Sequence, residues 1–106
     1  HLVGDVKDRV CVLVDDMTST AGTLIAAAEL LKRQGASKIY AAVSHFLAND
    51  RAFERIKESP IEELVTTNSV PCAHGSDRVH TVDIAHLLSE AIRRIHAGES
   101  VSSLFR

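Results

Sequence analysis

Aromatic residues are scarce in this sequence of 106 residues, which contains three phenylalanines, one tyrosine and no tryptophan. A hydrophobic core must therefore be built from Val, Ile, Leu and Ala. The apolar fraction of 45% and the charged fraction of 25% are those of an ordinary soluble globular protein. The length is enough for one domain with a single core.

An excess of basic charge is also absent, because 12 Lys and Arg residues against 14 Asp and Glu residues give a formal net charge of −2. This balance argues against a nucleic-acid-binding surface, which needs a concentrated basic field. No apolar run approaches the ~20 residues of a membrane span, and no signal-peptide pattern is present. We therefore expect neither a nucleic-acid nor a membrane partner.

Cysteine is too rare to form a disulfide framework, since only Cys11 and Cys72 are present. Two such residues favour a reduced, cytoplasmic setting. The six histidines are scattered without close ligand spacing, so no zinc site is expected. The sequence begins at His1 and enters strand-like sequence almost at once. We expect residues 1–106 to form a single domain that is part of a longer chain.

Strand-like and helix-like segments alternate along the sequence. Strands are predicted at 10–14, 38–44, 61–67 and 79–82, and helices at 24–34, 50–58 and between Asp83 as N-cap and Gly98 as the end. A polar loop is predicted over 72–78. The first strand has no polar face, as expected for a strand that is covered on both sides. This alternation predicts an α/β fold, a parallel sheet with helices on both faces.

The segment from Asp15 to Thr23 concentrates the chemistry, because it joins the first strand to the first helix. The N-terminus of a helix offers unpaired N–H groups and partial positive charge, which suit an anion. Hydroxyls at Thr18, Ser19, Thr20 and Thr23 can donate to phosphate oxygens, and Gly22 allows close approach of the backbone.

The acidic pair Asp15 and Asp16 at the start of this segment indicates what else the ligand carries. A carboxylate only accepts hydrogen bonds, so it repels phosphate but suits a partner with two adjacent hydroxyl donors. Hydrogen-bond donors for a phosphate, next to hydrogen-bond acceptors for two adjacent hydroxyls, form the combination expected of a ribose 5-phosphate site. In a parallel sheet such a ligand binds beyond the carboxyl ends of the strands, where this segment is predicted to lie.

The pattern Val-Asp-Asp-x-x-x-Thr-x-Gly-Thr resembles the phosphoribosyl-pyrophosphate loop of type I phosphoribosyltransferases and ribose-phosphate pyrophosphokinases. The rest of the chain resembles the C-terminal, phosphoribosyltransferase-like domain of the pyrophosphokinases. That resemblance is carried by residues 2–6, 54–64, 67–71, 89–96 and 98–105. It covers essentially the whole chain.

The resemblance implies a ribose-phosphate diphosphokinase, which makes phosphoribosyl pyrophosphate and AMP from ATP and ribose 5-phosphate. It implies that Asp15 and Asp16 contact the ribose hydroxyls and that the 5-phosphate is held by Ser19, Thr20, Ala21, Gly22 and Thr23. The chain departs from the family at Ser19, where many members carry a third aspartate. Catalytic residues, metal ligands and the site of Mg²⁺ with ATP are implied to lie upstream, so these 106 residues alone are expected to be inactive.

The same resemblance implies that Ser100, Val101 and Ser102 help bind a regulatory phosphate, and that the protein is a homo-oligomer, a dimer-based hexamer in the family. Arg93 and Arg94 are interpreted as a solvated stripe. His45, just past the second strand, is expected to be structural or solvated. Two alternatives remain open: a non-catalytic regulatory or oligomerisation subunit, and a type I phosphoribosyltransferase.

Overall fold

The computed structural model describes residues 4–71 and 76–105. Its elements follow in the order β1 (Val10–Thr18), α1 (Gly22–Arg33), β2 (Lys38–Phe46), α2 (Asp50–Glu58), β3 (Ile61–Thr67), β4 (Val79–Val82) and α3 (Ala85–Ala97), before a final 3₁₀ turn (Ser102–Phe105). The predicted bounds of α2, β3 and β4 are confirmed, whereas β1 and β2 each run further than predicted. Of the predicted loop 72–78, residues 72–75 lie outside the described part.

The four strands form one parallel sheet in the order β1-β2-β3-β4. The predicted α/β fold with a parallel sheet is thereby confirmed. The first three strands are joined by α1 and α2, and because all strand pairs are parallel, all carboxyl ends lie along one edge of the sheet. The register pairs Asp15 with Val43 and Met17 with His45, which brings the end of β1 beside the end of β2.

The core of the described residues lies between the sheet and the helices α1 and α2. Apolar residues of β2 and β3 pack there against one stripe of each helix, and Phe46 meets Phe53 edge to face with ring centroids 5.5 Å apart. The fully buried side chains include Ala28 of α1, Ile39 of β2, Ile56 of α2 and Ile61 and Leu64 of β3. Asn49 caps α2 by accepting from the Ala52 N–H at 2.9 Å.

The opposite face of β1 differs from the prediction of a strand covered on both sides. Val10, Val12 and Val14 are 60%, 59% and 79% exposed, because nothing in the described part of the chain packs against them. The predicted apolar face of α3 is exposed as well, with Ile92 at 67% and Ile95 at 69%. None of the helices within residues 4–71 and 76–105 has the length and apolarity that a bilayer crossing requires.

The start of α3 is tied to the end of β3 by polar side chains. Asp83 accepts from the Ala85 N–H at 2.8 Å and from the Asn68 side-chain amide at 3.0 Å, and Asn68 accepts in turn from the Ile84 N–H. These two donors hold the pKa of Asp83 below its ordinary value. Asp83 thus satisfies an N–H of the first turn although the N-cap position itself is Ile84. Gly98 ends the helix in a left-handed conformation, as predicted.

Candidate functional site

The two aspartates of the predicted loop belong to β1 and not to the turn. Because β1 continues to Thr18, only residues 19–21 separate the strand from α1, which begins at Gly22. Successive side chains of a strand point to opposite faces of the sheet. The expectation that Asp15 and Asp16 act from one turn is therefore wrong in its geometry, although both remain at the carboxyl end of the sheet.

A cavity of about 280 Å³ opens at this end of β1. Among the predicted site residues, Asp15, Ser19, Thr20, Gly22 and Thr23 line it, and the structure thus brings a carboxylate, three hydroxyls and a glycine together. Asp16 and Ala21 are not among its lining residues. Met17, Thr18, Leu24 and Leu47 complete the wall.

Each aspartate of β1 is oriented by the peptide that follows it. Asp15 Oδ1 accepts from the Asp16 N–H at 2.8 Å, and Asp16 Oδ1 accepts from the Met17 N–H at 2.7 Å. Within the described residues no donor reaches the second oxygen of either carboxylate. Each group is thus fixed by one oxygen, and its other oxygen can still accept a hydrogen bond.

Residues 19–23, called here the 19–23 loop, carry an unusual backbone conformation at Ala21. This residue is fully buried and lies in the left-handed region, with φ of 62° and ψ of 7°. Its carbonyl accepts the first helical hydrogen bond, from the Ile25 N–H at 2.9 Å, and no side chain caps the helix. The N–H groups of Thr23 and Leu24 have no partner among the described residues, so they are available to an anion.

Two contacts from outside the predicted segment support the 19–23 loop. Arg55 of α2 donates from Nη1 to the Thr20 carbonyl at 3.4 Å, and the Leu47 N–H donates to the Thr18 carbonyl at 2.8 Å. Neither residue is identified by the sequence analysis, because no local motif marks a partner that follows the loop by tens of residues. The only available signal is topological: the segment after β2 must pass near the end of β1.

His45 sits at the same edge of the sheet, one strand from the loop. Its Nδ1 lies 2.6 Å from the Ser69 hydroxyl, which is also 3.3 Å from the Ser44 carbonyl. Thr67 donates to that same carbonyl at 2.6 Å and accepts from the Ser69 N–H. This polar cluster links the ends of β2 and β3 and agrees with the structural role expected for His45.

The C-terminal residues contact α3 and divide the pair interpreted as a solvated stripe: Arg93 is exposed at 53%, as expected, whereas Arg94 is partly buried at 26%. Glu90 forms ion pairs with both arginines, at 2.8 Å and 3.0 Å, and Arg93 also pairs with Glu99. These donors lower the pKa of Glu90 to about 2. Arg94 further donates to the Ser100 carbonyl and to the Ser103 hydroxyl. The Ser100 and Ser102 hydroxyls are 2.8 Å apart.

A complete metal centre is not formed by the residues that the structure describes, because they contain no group of three or more His, Cys, Asp or Glu suited to an ion. The carboxylates of Asp15 and Asp16 are hard oxygen donors of the type that Mg²⁺ prefers. By themselves they do not make up the ligand set of a bound metal ion.

Comparison with known proteins gives consistent matches over nearly the whole chain. The family described as "Phosphoribosyl synthetase-associated domain" matches residues 1–106. Ribose-phosphate pyrophosphokinase A of Dictyostelium discoideum is 51% identical over 107 residues, covering 98% of this chain and 34% of that protein. Ribose-phosphate pyrophosphokinase 1 of Listeria monocytogenes is 47% identical over 107 residues, with coverage of 99% and 34%.

A solved structure agrees with the sequence comparisons. The phosphoribosylpyrophosphate synthetase from Mycobacterium smegmatis superposes with a TM-score of 0.87 at 35% identity, over 91% of this chain and 33% of that one. The chain thus spans about a third of the length of the relatives it matches. From the family match over its full length, the chain belongs to the phosphoribosyl synthetase-associated domain family.

Proposed function

We propose that this chain is the C-terminal, ribose 5-phosphate-binding part of a ribose-phosphate diphosphokinase. The observation that carries the proposal is the cavity that Asp15 lines together with residues of the 19–23 loop, beside the unpaired N–H groups at the start of α1. Relatives named ribose-phosphate pyrophosphokinase, 51% and 47% identical to this chain, support the same assignment.

The cavity offers hydrogen-bonding groups for both ends of a sugar phosphate, the phosphate group and the ribose hydroxyls. The phosphate accepts hydrogen bonds from the N–H groups at the start of α1 and from the hydroxyls of Ser19, Thr20 and Thr23. The helix dipole adds to the attraction. The free carboxylate oxygen of Asp15 accepts from the ribose hydroxyls within the cavity, and Asp16 is proposed to add a second acceptor from the end of β1, outside the cavity wall. Asp15 lines the cavity directly, so we expect it to contribute more than Asp16.

The proposed reaction transfers a diphosphoryl group from ATP to the C1 hydroxyl of ribose 5-phosphate. The C1 oxygen attacks the β-phosphorus, the bond from that phosphorus to the oxygen bridging it to the α-phosphorus breaks, AMP leaves and the hydroxyl proton is released. In phosphoryl transfer the protein supplies chiefly positioning and charge stabilisation. Here the contribution of this chain is to fix the sugar so that C1 points away from the phosphate loop.

The residues that bind ATP and its Mg²⁺ are proposed to lie in a preceding part of a longer cytoplasmic protein. The exposed valines of β1 and the coverage of a third of each relative support a longer chain, since such an apolar face is normally buried. These 106 residues alone are proposed to be inactive.

The C-terminal turn and the exposed face of α3 suggest regulation and assembly. We propose that Ser100, Val101 and Ser102 contribute to a regulatory phosphate site in a homo-oligomer. The Ser100 and Ser102 hydroxyls lie 2.8 Å apart there, and the Arg94 guanidinium donates to the Ser100 carbonyl and the Ser103 hydroxyl in the same turn, which is a favourable setting for an anion. Replacing Ser102 with alanine in the complete protein should reduce any dependence of activity on inorganic phosphate without altering the KM for ribose 5-phosphate.

Calorimetric titration of the complete protein that carries these residues tests the central proposal. Ribose 5-phosphate should bind, and 2-deoxyribose 5-phosphate should bind more weakly because one hydroxyl donor is missing. Asp15→Asn should weaken ribose 5-phosphate binding about tenfold or more, as expected for loss of a charged acceptor. The same change should reduce the discrimination against the deoxy sugar.

Asp77→Asn is the matched control for this titration. Asp77 is exposed and precedes β4, which places it at the opposite edge of the parallel sheet. It should leave both affinities unchanged. The proposal is overturned if the wild-type protein binds neither sugar phosphate, or if Asp15→Asn and Asp77→Asn behave alike.

A further inference from the structure

We propose that Arg55 is a positioning residue for the 19–23 loop. From α2 it holds the Thr20 carbonyl, and through that peptide it maintains the left-handed conformation of Ala21 that aims the loop at the ligand. This inference rests on the proposed function, because it takes the ligand to be ribose 5-phosphate.

The loop needs an external support because its central residue is strained. A non-glycine residue in the left-handed region costs roughly 1–2 kcal/mol. Such a conformation persists only where the surrounding structure determines it. Within the loop itself, the hydrogen bond from the Gly22 N–H to Thr20 Oγ1 is long, at 3.3 Å. The Ala21 carbonyl is held by the Ile25 N–H at 2.9 Å, but on the other side of Ala21 the Thr20 carbonyl accepts, among the described residues, from Arg55 alone.

Arg55 acts on the peptide that sets this conformation. The Thr20 carbonyl and the Ala21 N–H belong to one planar unit, so the direction of the carbonyl is coupled to the φ angle of Ala21. Arg55 Nη1 reaches that carbonyl at 3.4 Å across 35 residues of sequence. At this distance the positive charge of the guanidinium contributes more than hydrogen-bond geometry does, since ion–dipole attraction declines gradually with distance.

Arg55 approaches the loop from a side other than the candidate ligand cavity. It lines a groove of about 390 Å³ with Gly22, Ile25, Glu29, Glu58 and Ser59. Gly22 lines both this groove and the ligand cavity, so the backbone of the loop forms the wall between them. A methyl group on Gly22 would lie 4.0 Å from Arg55 Nη1. Arg55 is thus close to the loop without lining the candidate ligand cavity.

The helix that carries Arg55 is held in place by buried side chains and by its N-cap. Ala52 and Ile56 on either side of Arg55 in α2 are fully buried, and Asn49 caps the helix. Phe53 packs against Phe46 at the end of β2. A displacement of the Arg55 backbone would therefore require movement of packed side chains, so the guanidinium reaches the loop from a fixed point.

Steady-state kinetics of the complete protein test this role. Arg55→Ala should raise the KM for ribose 5-phosphate about tenfold while kcat and the KM for ATP change less than about threefold. Arg55→Lys keeps the charge and should recover most of the wild-type KM, whereas Arg55→Gln removes the charge and should not. Arg51→Ala, an exposed arginine of the same helix, is the matched control and should leave all constants unchanged.

The outcomes separate this inference from the proposed function. A wild-type protein that neither binds ribose 5-phosphate nor converts it removes the proposed function and this inference with it. An active wild-type protein whose Arg55→Ala variant keeps the wild-type KM overturns the inference alone. If Arg55→Ala fails to fold, Arg55→Gln decides: an unchanged KM for ribose 5-phosphate would show that Arg55 serves only the packing of α2.

Discussion

Two adjacent threonines of β3 have their hydroxyl groups in different environments, one buried without a hydrogen-bond partner and the other hydrogen-bonded. Thr66 is 1% exposed, and its Oγ1 has no hydrogen-bond partner among the described residues. Thr67 Oγ1 donates to the Ser44 carbonyl at 2.6 Å and accepts from the Ser69 N–H at 3.2 Å. Because valine has nearly the same shape as threonine, the same substitution at both positions isolates the hydroxyl in each environment.

Thr66→Val should stabilise the fold. A buried hydroxyl without a partner costs about 1–3 kcal/mol in mutational data, and valine replaces it with a methyl group that fits the same space. We therefore expect the free energy of unfolding to rise by about 1–2 kcal/mol. Thr67→Val removes two hydrogen bonds and leaves the Ser69 N–H unpaired, which should lower the same quantity by about 1 kcal/mol.

Urea denaturation of the complete protein, followed by far-UV circular dichroism, measures both changes. The midpoints should move in opposite directions with unchanged slopes, since neither substitution alters the surface exposed on unfolding. A lower midpoint for Thr66→Val would refute the reasoning, because it would mean that the hydroxyl has a partner, such as a buried water. Equal shifts for the two variants would likewise show that the hydroxyls are not in different environments.

Three further outcomes follow from the same structure. Ala21→Val should destabilise the protein by about 2–4 kcal/mol in urea denaturation, because it adds bulk and β-branching to a buried left-handed residue, whereas Ala21→Gly should be nearly neutral. Gly35→Ala should lower the thermal midpoint, since φ is +93° there and the new methyl would lie 3.3 Å from Lys7 Cγ. The pKa of Glu90 is lowered from 4.5 to about 2, so its ion pairs stabilise the fold above pH 4.5. The stability difference between wild type and Glu90→Gln should therefore be full at neutral pH and decline as the pH falls from 4.5 toward 2.

The elements of the sheet were predictable because hydrophobic pattern and turn chemistry agree in most segments. The helix from Asp50 is bounded by an Asn cap and by Ser59-Pro60, and its limits agree with the prediction. The end of β1 was not predictable, since Asp15 and Asp16 resemble turn residues in the sequence although β1 continues through them, with Asp15 and Met17 paired to β2. Pairing with a neighbouring strand overrides local propensity at such positions.

The candidate site likewise combines residues that are adjacent in the sequence with residues that only the fold brings together. The loop that lines the cavity is contiguous in sequence, so its hydroxyls and Gly22 are visible as one motif. The supports of the loop are not, because Leu47 and Arg55 come from the segment that follows the neighbouring strand. Parallel topology dictates that this segment passes close to the end of β1, but only the packing of α2 determines which side chain arrives there. A motif therefore indicates the chemistry of a ligand, whereas the residues that hold the motif in its strained conformation emerge only from the folded chain.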